Sequence, residues 1–236
     1  MTSKSPFKWR HFLPEIILWG VRWYCLYPIS YRQLEEMMCD RGVAVDHSTL
    51  SRWVQKYAPE LDKRCRPYLK PTNDSWRVDE TYIKVKREDK YLYRAVDSKG
   101  NTLDFLLTAR RDAAAAKRFF HKVLQAPHTQ EPRVINVDKN AAYPKAIDEM
   151  KVEEELLNSV ELRQNKYLNN LVEQDHRFIK RLTKPGMGFH SFNTARRTLR
   201  GFEAMNILRK GQVVGVEKGN VQARTKFVSQ IFEVAA

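Results

Sequence analysis

The feature that most restricts the fold is an abrupt change of hydrophobic period across 64–74. Before it, apolar residues recur at helical spacing. After it come three segments rich in aromatic and β-branched residues: Trp76–Val85, Tyr91–Asp97 and Thr102–Thr108. Such runs read as strands. The intervening Arg87–Lys90 and Ser98–Asn101 have the residue chemistry of hairpin turns, so the strands should form a meander. Pro67, Pro71 and Asn73 mark 64–74 as a linker.

Beyond the meander the pattern alternates. Asp112 is placed to cap an alanine-rich helix, Ala113–Leu124, and Val134–Val137 is a short apolar strand ending at Asp138. A helix over Ala141–Met150, a strand over Val160–Arg163 and a long helix from about Asn169 complete the series. Three strands followed by alternating helices and strands give an α/β fold, a mixed sheet flanked by helices. That order matches a ribonuclease H-like core, assigned here to 75–185.

The segment 1–63 reads as all-helical. Pro14 sits where a first helical residue is tolerated. Ser30 and Gln33 form a capping box for a second helix with Leu34, Met37 and Met38 on its apolar face, and Gly42 stops it. Asp46 or Ser48 can cap a third helix carrying Leu50, Trp53, Val54 and Tyr57, with Pro59 just beyond its end. This is a helix-turn-helix layout, whose second helix enters the major groove with its early residues on base edges. The DNA-contact candidates are therefore His47, Ser48, Ser51, Arg52, Gln55 and Lys56; an ordinary helical hairpin is the alternative.

Charge supports a polyanionic partner. The net charge is +14, and between Arg177 and Lys226 twelve Lys and Arg face only Glu203 and Glu217, so that stretch carries +10 of it. DNA or RNA is the usual partner of such a surplus, an anionic membrane the alternative. The segment 186–236 reads as a basic helical extension in which Phe202, Met205 and Leu208 face inward and Arg196, Arg197 and Arg200 outward. Apolar residues make up 42% of the chain, enough for a core and against wholesale disorder. Three widely spaced cysteines support neither a zinc ribbon nor a disulfide framework. No signal peptide or membrane-spanning run is evident, so a cytoplasmic setting is expected.

Phosphodiester chemistry with two metal ions needs carboxylates converging on cations about 3.5–4 Å apart. Asp79 lies inside the first strand, where an ionised group is costly unless a cation meets it. Asp138 stands at the mouth of the Val134–Val137 strand, where α/β folds place ligands. At 3.6 residues per turn, Asn169, Glu173, Arg177 and Lys180 share one helix face, a carboxylate beside two cations. Glu80, Asp97, Asp104, Asp112, Asp148, Glu149 and the run Glu153–Glu155 are the competing acids. Asp97 begins a turn, Asp112 caps a helix, the glutamate run is a solvated face, and Glu80 should point to the opposite side of the strand from Asp79. His176 is expected to pack or hydrogen-bond rather than bind metal, and Trp76 to lie in the core.

Three stretches carry a resemblance: Trp-Arg-Val-Asp-Glu-Thr-Tyr (76–82), Val-Asp-Lys-Asn-Ala-Ala-Tyr (137–143) and Asn-Asn-Leu-Val-Glu-Gln-Asp-His-Arg-Phe-Ile-Lys (169–180). They resemble the signatures of DDE transposases of the bacterial insertion sequence six family. The 34 residues between Asp138 and Glu173 match the family's spacing, and Lys180 falls where its following basic residue lies. The likeness covers nearly the whole chain. It implies that Asp79, Asp138 and Glu173 hold two Mg²⁺ ions, with Mn²⁺ able to substitute. It also implies that the helical N-terminal part binds terminal inverted repeats in double-stranded DNA. Expected further are action as a homodimer or larger assembly, and nicking that frees a 3′-hydroxyl which attacks target DNA to form a cointegrate without a covalent protein–DNA intermediate. A tyrosine recombinase would need a His-x-x-Arg element, and none of the six histidines has arginine three residues on. A simple nuclease would not need the helix-turn-helix, and a DNA-binding regulator would not need acids at strand ends.

Overall fold

Hairpin geometry builds the sheet. In the computed structural model, which describes residues 6–7, 11–165 and 170–234, β1 (Ser75–Val85) pairs antiparallel with β2 (Glu88–Asp97) through ten partners from Trp76–Asp97 to Val85–Glu88. The turn is therefore Lys86-Arg87, tighter than the Arg87–Lys90 connection expected from composition. Both turn residues have positive φ, 52° and 67°, the backbone sense that matches the right-handed twist of the flanking strands. Ion pairing of Lys84 with Asp89 and of Lys90 with Glu88 lets charged residues occupy the hairpin end. The second turn follows the expected chemistry. The Asp97 carboxylate accepts from the backbone N–H of Lys99 and Asn101 and from the Asn101 amide, and Gly100 takes φ +82°.

β3 (Thr102–Thr108) pairs antiparallel with β2. The Asp112 side chain accepts from Ala115 N–H and opens α4 (Ala113–Leu124). β4 (Val134–Val137), α5 (Ala142–Val152), β5 (Glu161–Gln164) and α6 (Asn170–Thr183) follow. The strand order is β3-β2-β1-β4-β5, with β4 parallel to both β1 and β5. A three-stranded meander extended by two parallel strands is the ribonuclease H-like arrangement. Its core takes Trp76 and Val78 from β1, Tyr93 and Ala95 from β2, Phe119 and Phe120 from α4, and Tyr143 and Ile147 from α5. Full burial of each large apolar side chain contributes about 1.5–3 kcal/mol. Because strand side chains alternate, Asp79 is left on the other face of β1 from Trp76 and Val78.

The described backbone divides into two units, 70–180 on the one hand and residues to 69 with 181–236 on the other. The second unit holds α1 (Pro14–Leu26), α2 (Tyr31–Cys39), α3 (His47–Cys65), α7 (Phe192–Arg209) and α8 (Val221–Ile231). The basic tail is thus no separate extension, since α7 packs on α1 and α3. The capping box at Ser30 and the Asp46 cap are both formed. However, α3 does not stop before Pro59; it continues to Cys65 and so takes up the start of the expected linker. Proline removes the N–H that would bond the carbonyl four residues back. That carbonyl is Gln55 O, and it accepts instead from Arg197 Nε at 2.6 Å. The helix survives because a residue of α7 supplies the missing donor. Among the described residues no helix is long and apolar enough to cross a membrane.

Gly201 lies where α7 meets its neighbours, and a β-carbon there would stand 2.5 Å from Cys25 Sγ and 2.6 Å from Ala58 Cβ. Helix propensity alone would make Gly201→Ala stabilising by about 0.5–1 kcal/mol. The close approach predicts the opposite sign, a loss of about 1–3 kcal/mol from overpacking, read as a lower melting temperature.

Candidate metal and nucleic-acid site

The register of two parallel strands brings the first two acids together. Arg77 partners Asn136, so two residues further along both chains Asp79 and Asp138 come abreast. The Asn136 amide donates to Trp76 O at 3.0 Å and holds that register. β1 continues past this point while β4 ends at Val137, leaving Asp138 at a strand mouth. There its carboxylate accepts from Asn140 N–H at 2.9 Å and from Arg111 Nη2 at 3.3 Å.

Glu80 completes a cluster that sequence reasoning did not anticipate. As alternation requires, its carboxylate turns toward the α5 side, accepting from the Tyr143 hydroxyl and pairing with Arg111. Even so, one oxygen each from Asp79, Glu80 and Asp138 lies within 4.8 Å of the others. The available signal was two adjacent acids in a strand, with Glu80 on the face that carries Trp76 and Val78. An acid on that face must find a polar partner, and Tyr143 supplies it.

α6 delivers the third expected acid. Glu173, His176, Arg177 and Lys180 line a cleft of about 300 Å³ together with Asp79, Glu80, Thr81 and Tyr82. Glu173 therefore shares the Asp79 cleft without belonging to the tight oxygen cluster, and Asn169, assigned to the same helix face, lies outside the described residues. His176 is buried, with Nδ1 3.6 Å from Asp79 Oδ2. Burial first, then the Arg94 charge, lower its pKa to about 3, so at neutral pH the imidazole is uncharged. Burial first, then the charges of Glu80 and Asp138, push the Asp79 carboxyl up to about 7, and Glu173 adds to the rise.

An all-oxygen donor set with one carboxyl raised by burial and by its acidic neighbours suits a hard divalent cation. A bound cation would offset both the burial and the acidic neighbours that raise Asp79, so the residues fit magnesium.

The DNA-contact candidates on α3 separate into two groups. Ser48 and Arg52 are exposed, and Arg52 donates to Thr49 Oγ1 at 2.9 Å. His47 is partly exposed and holds Glu35 at 2.9 Å. Gln55 instead donates to Thr198 at 2.6 Å, Lys56 donates to Pro6 O at 3.3 Å, and Ser51 hydrogen-bonds Tyr31. Of the α7 arginines, Arg197 supports α3 and Arg200 lies 3.8 Å from Asp62, whereas Arg196 is exposed.

A family model described as a DDE domain matches residues 73–212. The chain is 39% identical over 209 residues to the transposase for insertion sequence-like element IS431mec of Staphylococcus aureus, covering 86% of this chain and 88% of that one. The same figures, 39% over 209 residues at 86% and 88% coverage, hold for the transposase for insertion sequence element IS257 in transposon Tn4003 of Staphylococcus aureus. Among solved structures, the HTLV-2 integrase catalytic core domain in complex with magnesium aligns with a TM-score of 0.43 at 15% identity, over 63% of this chain and 94% of that one.

The raised Asp79 pKa sets a pH dependence. Without a cation this carboxyl favours the fold only while protonated; the contribution is complete below the ordinary value of 3.8 and is lost as pH rises through about 7. Mg²⁺ should therefore raise the melting temperature more at pH 8 than at pH 6. In EDTA at pH 8, Asp79→Asn should melt above wild type and be more stable by at most about 4 kcal/mol, at about 1.36 kcal/mol per pKa unit. An equal Mg²⁺ effect at both pH values would refute the assignment.

Proposed function

Since the chain belongs to the DDE transposases of the bacterial insertion sequence six family, enzymes that cut and rejoin DNA, we propose that Asp79, Asp138 and Glu173 are its catalytic acids. The observation that carries the proposal is the convergence of Asp79, within β1, and Asp138, at the mouth of the adjoining β4, with Glu173 in the Asp79 cleft. These acids would hold two Mg²⁺ ions, with Mn²⁺ able to substitute. When bound, the ions supply Lewis-acid activation of the attacking oxygen and stabilisation of the leaving one.

The chain's own residues do the positioning. Arg177 and Lys180, on the Glu173 side of the cleft, hold DNA phosphates. The neutral His176 fills the space behind Asp79 without adding a competing charge. Glu80, taken by Tyr143 and Arg111, orients the strand end. Water attacks the phosphodiester at the element's end and frees a 3′-hydroxyl; that hydroxyl then attacks target DNA directly. The phosphodiester passes from one oxygen to the next without a protein-bound intermediate, and the product is a cointegrate.

Terminal inverted repeats are read by the start of α3, with Ser48 and Arg52 the exposed contacts and His47 beside them. Ser51, Gln55 and Lys56 contribute by holding α3 in place. Two ends must be joined together, so the working species is a homodimer or larger assembly.

In joining assays with labelled element ends, Asp79→Asn, Asp138→Asn and Glu173→Gln should each abolish strand transfer while leaving end binding intact. Glu80→Gln should lose only on the order of 10-fold, as expected for a residue that orients a ligand. Full joining by a variant of one of the three acids would remove that residue from the site. Arg52→Ala should weaken binding to element ends more than to random DNA; equal weakening would make Arg52 a phosphate contact only.

A further inference from the structure

Behind the acids lies an ion pair that the chemistry above does not use. Arg94 of β2 is fully buried, and its Nη2 donates to Asp175 Oδ2 of α6 at 2.6 Å. Each partner is tied to one of the acids. Arg94 is the cross-strand partner of Asp79 in the antiparallel register. Asp175 follows Glu173 by two residues and precedes His176, which lies against Asp79.

Stability alone does not account for such a pair. Taking a guanidinium and a carboxylate out of water is expensive, and well-packed apolar residues of similar volume often hold a fold at least as well. Its neighbours in alternation on β2, Leu92 and Val96, are themselves fully buried and apolar. What an apolar pair cannot provide is direction. A charge-assisted hydrogen bond fixes distance and angle, whereas apolar contact tolerates sliding.

Direction matters here because Glu173 sits on the flank of α6. Asp175 lies about 200° around the helix from Glu173 at 100° per residue. A pin on that side sets the rotation of the helix, and so where Glu173 points. With side chains about 5–6 Å from the helix axis, a 20° roll would move the carboxylate by about 2 Å. A misplacement of about 1 Å already costs on the order of 100-fold in a catalytic constellation.

We propose that the buried Arg94–Asp175 ion pair is a positioning device that ties the helix carrying Glu173 to the strand position opposite Asp79, and so sets the geometry of the divalent-metal site. It rests on the metal-site reading above.

The test uses the full chain and measures Mn²⁺ affinity by electron paramagnetic resonance, alongside melting temperature and strand joining. Arg94→Met with Asp175→Leu removes the pair while restoring apolar packing. It should fold with a melting temperature at or above wild type, yet bind Mn²⁺ at least about 10-fold more weakly and lose joining in parallel. Asp175→Asn keeps an acceptor for Arg94, and should retain Mn²⁺ affinity within a few-fold.

A folded double variant with wild-type Mn²⁺ affinity would overturn the proposal. So would a double variant that fails to fold, since the pair would then be a requirement of the fold rather than of the site. An Asp175→Asn protein that is folded but as weak as the double variant would also overturn it, by making charge rather than position decisive. Asp79→Asn is the control: if it binds Mn²⁺ like wild type, the metal-site reading itself fails, a result distinct from failure of the double variant alone.

Discussion

Carboxylates crowded where β4 ends beside the middle of the longer parallel strand β1 repel one another, and much of the unit 70–180 answers that repulsion. The β1–β4 register makes the crowding unavoidable by setting Asp79 abreast of Asp138. Arg111 offsets it at the mouth by reaching both Glu80 and Asp138. Tyr143 offsets it from the core side by donating to Glu80. Burial first, and then the repulsion that remains, push the Asp79 carboxyl up to about 7. A site strained in this way favours binding of a compact divalent cation, because the ion removes an existing cost as well as forming new bonds.

The same logic explains why the neighbouring imidazole is neutral. A protonated His176 would pair with Asp79 and compete with metal for it. Burial and the Arg94 charge prevent that. The fully buried guanidinium therefore bears on the site electrostatically, through His176, as well as mechanically, through α6.

Local chemistry was legible in the sequence, and long-range substitution for it was not. The Ser30 and Asp112 caps, the Asp97 turn and the acid at the mouth of β4 each depend on residues within a few positions, and all form as read. The hairpin at Lys86-Arg87 was misplaced because nothing in those side chains advertises positive φ; cross-strand pairing from Val85 to Glu88 imposes it. Glu80 was set aside by a correct argument about strand faces that could not foresee Tyr143 arriving from α5. Gln55 and Arg197 were read as exposed polar residues, yet they serve one another across 142 positions of chain. Composition can announce a basic tail, but not that its helices complete the N-terminal unit.

Pro59 has a further consequence in the timing of synthesis. The carbonyl it orphans accepts from Arg197, and α3 gains its packing against Gly201 from the same late helix. A ribosome releases the chain from its N-terminus, so α3 emerges long before either residue exists. Helix α3 is therefore without this support while the chain between it and α7 is still being made. Completion of the unit that 1–69 shares with 181–236 is in this way deferred until Arg197 and Gly201 have both been made.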